Sequence, residues 1–84
     1  MDLSALITIK RLLEMAIEQA KTELETSKKK YESLKNLSKM TEDDAAKAAI
    51  ATQMSEADTL TYVLGRWKLD LENALKEFTE KDWR

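Results

Sequence analysis

The sequence predicts an all-α protein, an antiparallel hairpin of two long helices that pack in a coiled-coil-like manner. Its 84 residues include one glycine and no proline, although the tight turns of a sheet protein draw on both residue types. The good helix formers Ala, Leu, Glu and Lys dominate the composition. Apolar residues recur at heptad spacing in both halves, as they do in paired helices.

The first helix is predicted to span residues 3–38, because its apolar residues follow two heptad rows. One row contains Leu3, Ile17, Leu24 and Tyr31, and the other contains Leu6, Leu13, Ala20 and Leu34. Lys10 and Ser27 interrupt these rows. The two rows predict a seam, meaning the strip along which this helix packs against another.

The turn is predicted at residues 39–41, where the first heptad pattern ends and a capping pattern begins. Thr41 is the predicted N-cap of the second helix, and its hydroxyl is expected to accept the backbone N–H of Asp44. Glu42, Asp43 and Asp44 would then lie at the positive end of the helix dipole. The turn contains no glycine or proline, so a straightened, domain-swapped helix is the alternative.

The second helix is predicted to span residues 42–81, again on the basis of two heptad rows. One row contains Ile50, Ala57, Leu64, Leu71 and Phe78, and the other contains Ala46, Leu60, Trp67 and Ala74, with Gln53 as an interruption. This pattern predicts Trp67 to be a core residue. A hairpin would place Leu34 near Ile50, Ala20 near Leu64, and Ser27 near Ala57 in a narrow layer.

Composition argues against an enzyme. The chain lacks histidine and cysteine, which removes the usual general base, the thiolate nucleophile and the commonest zinc ligands. We therefore expect no catalytic residues, metal, cofactor or small-molecule substrate. Residues 1–84 are expected to form one domain. No apolar run approaches the roughly 20 residues that span a bilayer, so the expected location is the cytoplasm.

Surplus apolar residues outside the seam predict a binding surface, because two helices cannot enclose a core by themselves. The predicted interface residues are Ile7, Ile9, Leu12, Met15 and Ala16 near the N-terminus, Tyr62, Gly65 and Leu69 in the second helix, and Trp83 near the C-terminus. A glycine inside a helix costs about 1 kcal/mol relative to alanine. Gly65 therefore indicates either a close helix contact or a tolerated substitution.

The predicted function is that of a small helical protein–protein interaction module, such as an adaptor, a chaperone-like protein or a regulatory protein. The expected partner is a second copy, which would complete a four-helix bundle, or another helical protein. The expected topology is similar to that of Rop-type hairpins, which dimerise into such bundles and bind RNA.

That resemblance implies an alternative, a nucleic-acid-binding bundle that uses the basic stripe of Lys28, Lys29, Lys30 and Lys35. The net charge of −2 disfavours this alternative. A structural or accessory subunit of a larger assembly is a third possibility.

Overall fold

The computed structural model describes residues 2–81 and confirms the predicted all-α hairpin. Helix α1 spans Leu3–Met40, and helix α2 spans Asp44–Glu80 and packs antiparallel against it. The hairpin measures 64 × 15 × 13 Å. Its length reflects the rise of roughly 1.5 Å per residue along each helix.

The connection between the helices spans residues 41–43 and differs from the prediction. Asp43 is the N-cap of α2, and its carboxylate accepts the backbone N–H of Ala46 at 3.2 Å. Thr41 instead caps the C-terminus of α1, where its hydroxyl donates to the carbonyl oxygen of Leu37 at 2.7 Å. The predicted N-cap at Thr41 was therefore wrong. A carboxylate at the cap serves the positive end of α2 and leaves Thr41 free to satisfy α1.

The backbone of the connection explains why it needs no glycine. Thr41 and Asp43 are both extended, with φ, ψ of −96°, 129° and −72°, 122°. No residue in the described part of the chain has a positive φ. The chain reverses direction through conformations that any L-residue adopts.

Helix α1 packs through the two rows predicted from its heptads. Ala20 is fully buried and Ser27 is almost fully buried, and both belong to the row that starts at Leu6. Ile17 and Leu24 of the other row are half-buried, as expected for a hairpin whose core has only two walls. The exception is Leu3, which is 69% exposed at the open end of the hairpin.

Helix α2 packs through only one of its two predicted rows. Ile50, Ala57 and Leu64 are buried, which confirms the first row. The second row was wrong, because Leu60 and Trp67 are 51% and 39% exposed. The partly buried residues beside the first row are Met54, Thr61, Lys68 and Leu75.

Polar contacts help explain this choice of rows. The Ser27 hydroxyl lies 2.8 Å from the Thr61 hydroxyl and 3.1 Å from the carbonyl oxygen of Ala57. Thr61 and the Ala57 carbonyl therefore provide partners for the buried hydroxyl of Ser27. The ammonium group of Lys68 lies 3.2 Å from Glu72, so its stem stays on the seam while its charge reaches solvent. This row fits the seam although it is less apolar than the row of Leu60 and Trp67.

The contact of Ser27 with Ala57 confirms the predicted pairing of these residues. A shift of one helix along the other would separate the Ser27 hydroxyl from both oxygens. Leaving a buried hydroxyl without a partner costs about 1–3 kcal/mol. Ser27, Ala57 and Thr61 form a hydrogen-bonded layer, which we call the polar layer. It favours this register of the two helices and so fixes the axial positions of all other residues.

Candidate interaction surface

One side of the hairpin carries, on each helix, a row of largely apolar residues that the partner helix does not cover. On α2 this row is that of Leu60 and Trp67. On α1 it contains Ile9, Ala16, Glu23, Lys30 and Leu37. We call this side the groove face and include the adjoining residues Leu12, Met40 and Val63.

A groove of about 380 Å³ lies at the centre of the groove face. Its floor includes Ala57 and Leu64 of the seam. Glu23 and Lys30 of α1 line one side, and Leu60 of α2 lines the other. The groove thus has a largely apolar floor, and α1 contributes one charge of each sign to its sides while α2 contributes Glu56 beside Leu60.

The structure brings part of the predicted N-terminal interface onto the groove face. Ala16 and Ile9 lie one and two heptads before Glu23, and both are partly exposed. Leu12 lies beside them and is 59% exposed. Met15 is 62% exposed but belongs to the back of α1, away from both sides of the seam.

The remaining predicted interface residues lie on the other side, which we call the opposite face. Ile7 is 52% exposed and lines a shallow pocket with Thr79 of α2. Tyr62 and Leu69 are also exposed, one heptad apart and next to Gly65. The predicted set thus divides between two faces of the hairpin and the back of α1. Trp83 lies outside the described residues.

Gly65 makes no close helix contact within the hairpin. A β-carbon added to it would have no heavy atom within 4 Å. The close approach that would have justified this glycine is therefore absent between α1 and α2.

Sequence reasoning missed Leu60 and Val63 as surface residues. Leu60 was assigned to the seam and Val63 was not singled out, yet both are more than half exposed. A signal was present, because α2 carries apolar residues in more rows than one partner helix can cover. Such a broad apolar stripe is typical of a helix that packs against two neighbours.

The lysine stripe does not form one surface. Lys28 lies on the opposite face, where it lines a shallow pocket with Glu32 and Asp58. Lys29 is exposed on the back of α1, and Lys30 lines the groove on the other side. Lys35 is exposed one heptad after Lys28. The three consecutive lysines therefore point in three directions.

Neither helix contains, within the described part of the chain, an apolar stretch that could cross a membrane. Among residues 2–81, no three acidic side chains come together as a possible metal site. Searches against protein-family models, curated proteins and solved structures found no match to this chain.

Proposed function

We propose that this chain is a small helical protein–protein interaction module that acts through the apolar residues of its groove face. The observation that supports this most directly is the uncovered row of α2. Leu60, Val63 and Trp67 are 51%, 53% and 39% exposed and lie within two turns of one another. Large apolar side chains clustered in this way are characteristic of interaction sites.

The total surface of the chain supports the same proposal. A compact protein of 9.7 kDa would expose roughly 5,100 Å², whereas this chain exposes 6542 Å². The difference of about 1,400 Å² exceeds the roughly 800 Å² that each partner buries in a typical stable interface. The hairpin can therefore bury the area of a typical interface and still expose at least as much surface as a compact protein of the same mass.

The geometry gives less support to the alternative of nucleic-acid binding. Phosphate contacts need cations on a common surface, and Lys28, Lys29 and Lys30 diverge around α1. Lys30 also shares its groove with Glu23 and Glu56. The alternatives of a nucleic-acid-binding bundle and of a structural or accessory subunit stay predictions.

The test compares Leu12→Asp with Lys29→Glu. Both residues are exposed on α1, so neither change removes a seam contact. We expect Leu12→Asp to abolish self-association or binding to a purified helical partner, because a carboxylate would be buried in the interface. Lys29→Glu, on the back of α1, should have almost no effect.

Light scattering during size-exclusion chromatography, over a dilution series, measures the self-association of each variant. Far-UV circular dichroism on the same samples checks that the helices persist. The reverse ranking, with Lys29→Glu disruptive and Leu12→Asp silent, would contradict the proposed function.

A further inference from the structure

We propose that the groove face binds a second copy of this chain, related by a two-fold axis that crosses the groove perpendicular to the helices. This inference rests on the proposed function and adds the identity of the partner and the geometry of the contact. Three features of the groove face support it, namely the charges along α1, the apolar ends of α1 and the sizes of the side chains along α2.

The charges on α1 are self-complementary. Glu23 and Lys30 belong to one row, lie one heptad apart and line the same groove. A two-fold axis between them places α1 antiparallel to α1 of the second copy. Glu23 of each copy then faces Lys30 of the other, so the arrangement forms two opposite-charge pairs. Such pairs select the partner and its orientation more than they increase affinity.

The apolar ends of α1 are self-complementary about the same point. Leu12 and Ala16 lie towards the open end of the hairpin, and Leu37 and Met40 lie at the turn end. Leu12, Leu37 and Met40 are 59%, 47% and 77% exposed. The antiparallel pairing brings the open end of one copy against the turn end of the other. Each exposed apolar cluster is then covered by the other cluster.

Helix α2 is compatible with the same axis. The hydrogen-bonded layer places Ser27 level with Ala57 and Thr61, so an axis between Glu23 and Lys30 passes close to Leu60. Leu60 would then meet Leu60 of the second copy. Trp67 would meet Gln53, and Ala74 would meet Ala46, so a large side chain packs against a smaller one.

These features fit one axis because the groove lies near the middle of the hairpin, between residues 23 and 30 of the 38-residue helix α1. A symmetric contact requires a surface that is complementary to itself after rotation. The groove face meets this requirement in charge along α1 and in size along α2.

The decisive experiment uses two charge reversals. Glu23→Lys leaves two lysines along the row, and Lys30→Glu leaves two glutamates. Both side chains are exposed, so the hairpin itself should persist. In a homodimer of either variant all four facing charges have the same sign, and we expect self-association to weaken about tenfold or more.

An equimolar mixture of the two variants restores both opposite-charge pairs in the proposed geometry. We expect the mixture to associate within about threefold of the unaltered chain, as measured by sedimentation equilibrium. Lys28→Glu is the matched control on the opposite face and should leave self-association unchanged.

A single introduced cysteine tests the position of the axis, since the chain has none of its own. Thr26→Cys should form an intermolecular disulfide under mild oxidation, because Thr26 lies beside the axis. Lys29→Cys, one turn further on the back of α1, should not. If the two-fold axis instead ran parallel to the helices, α1 of one copy would face α2 of the other. The two Thr26→Cys residues would then be too far apart to form a disulfide.

The outcomes distinguish this inference from the proposed function. A dimer whose two variants stay weak when mixed, or whose Thr26→Cys variant does not crosslink, would overturn the two-fold geometry and leave the proposed function standing. If the chain stays monomeric up to about 1 mM, the groove face does not bind a second copy, and this inference fails. The proposed function would then depend on the Leu12→Asp comparison with a different helical protein.

Discussion

The two sides of the hairpin contain the same helices but differ in what they offer to another molecule. The groove face carries on α2 an apolar row that only Gln53 interrupts, with Leu60 and Trp67 close to an open groove. The opposite face carries Lys28 and Asp58 around a shallow pocket of about 180 Å³, and its exposed Tyr62 and Leu69 do not line that pocket. Exposure alone is therefore a poor guide to a binding surface. The feature that separates the two faces is the groove of about 380 Å³ beside Leu60.

The largest expected effect comes from a substitution at the centre of the groove face. Leu60→Asp should weaken self-association at least about 100-fold, because the two-fold axis would bring two carboxylates together in an apolar contact. Tyr62→Asp is the matched control, since Tyr62 is even more exposed, at 69% against 51%. Its effect should stay within about threefold.

Sedimentation equilibrium on both variants measures this difference. If Leu60→Asp and Tyr62→Asp weaken self-association equally, both faces take part in assembly. The distinction between the two faces would then fail.

A second change tests the polar layer, which fixes the register of α2 against α1. Thr61→Val should lower the free energy of unfolding by about 1–2 kcal/mol, since the buried Ser27 hydroxyl loses one of its two partners. Ser27→Ala should cost about 1 kcal/mol, because the Thr61 hydroxyl still donates to Ala57 at 2.8 Å.

Urea unfolding of both variants and of the double variant provides the measurement. A coupling energy near zero in this double-mutant cycle would show that the two hydroxyls do not act as a unit.

A third change tests whether the opposite face takes part in assembly at Gly65. Gly65→Ala should raise the free energy of unfolding by about 1 kcal/mol, because alanine is the better helix former. No heavy atom lies within 4 Å of the added β-carbon. Self-association should remain unchanged if the opposite face stays free.

Thermal or urea unfolding at a fixed protein concentration, together with sedimentation, checks both parts. A more stable hairpin that no longer assembles would reveal a close contact at Gly65 from a second molecule.

The smallest expected effect comes from Lys28→Glu on the opposite face. Lys28 and Asp58 line the same shallow pocket, but exposed charges contribute little. The free energy of unfolding should fall by about 0.5 kcal/mol or less. Raising the salt concentration should reduce this difference, and a loss that is large and independent of salt would contradict a purely surface role.

Part of the candidate site followed from the sequence. Ile9, Leu12 and Ala16 were predicted as interface residues and do lie on the groove face. Leu60 and Val63 were missed, because the row of Leu60 was assigned to the seam. The row of Thr61 and Lys68 fits the seam through contacts with Ser27 and Glu72, which heptad spacing does not reveal.

The sequence by itself determined the two helices, the position of the reversal within a few residues, the seam of α1 and the pairing of Ser27 with Ala57. These features depend on heptad spacing, capping residues and residue size, which are local or nearly so. Only the tertiary structure decided how α2 is rotated about its own axis. Two rows flank Ile50, Ala57 and Leu64, and α1 covers one of them. Hydrogen bonding and side-chain reach selected that row, and this selection left the groove face uncovered.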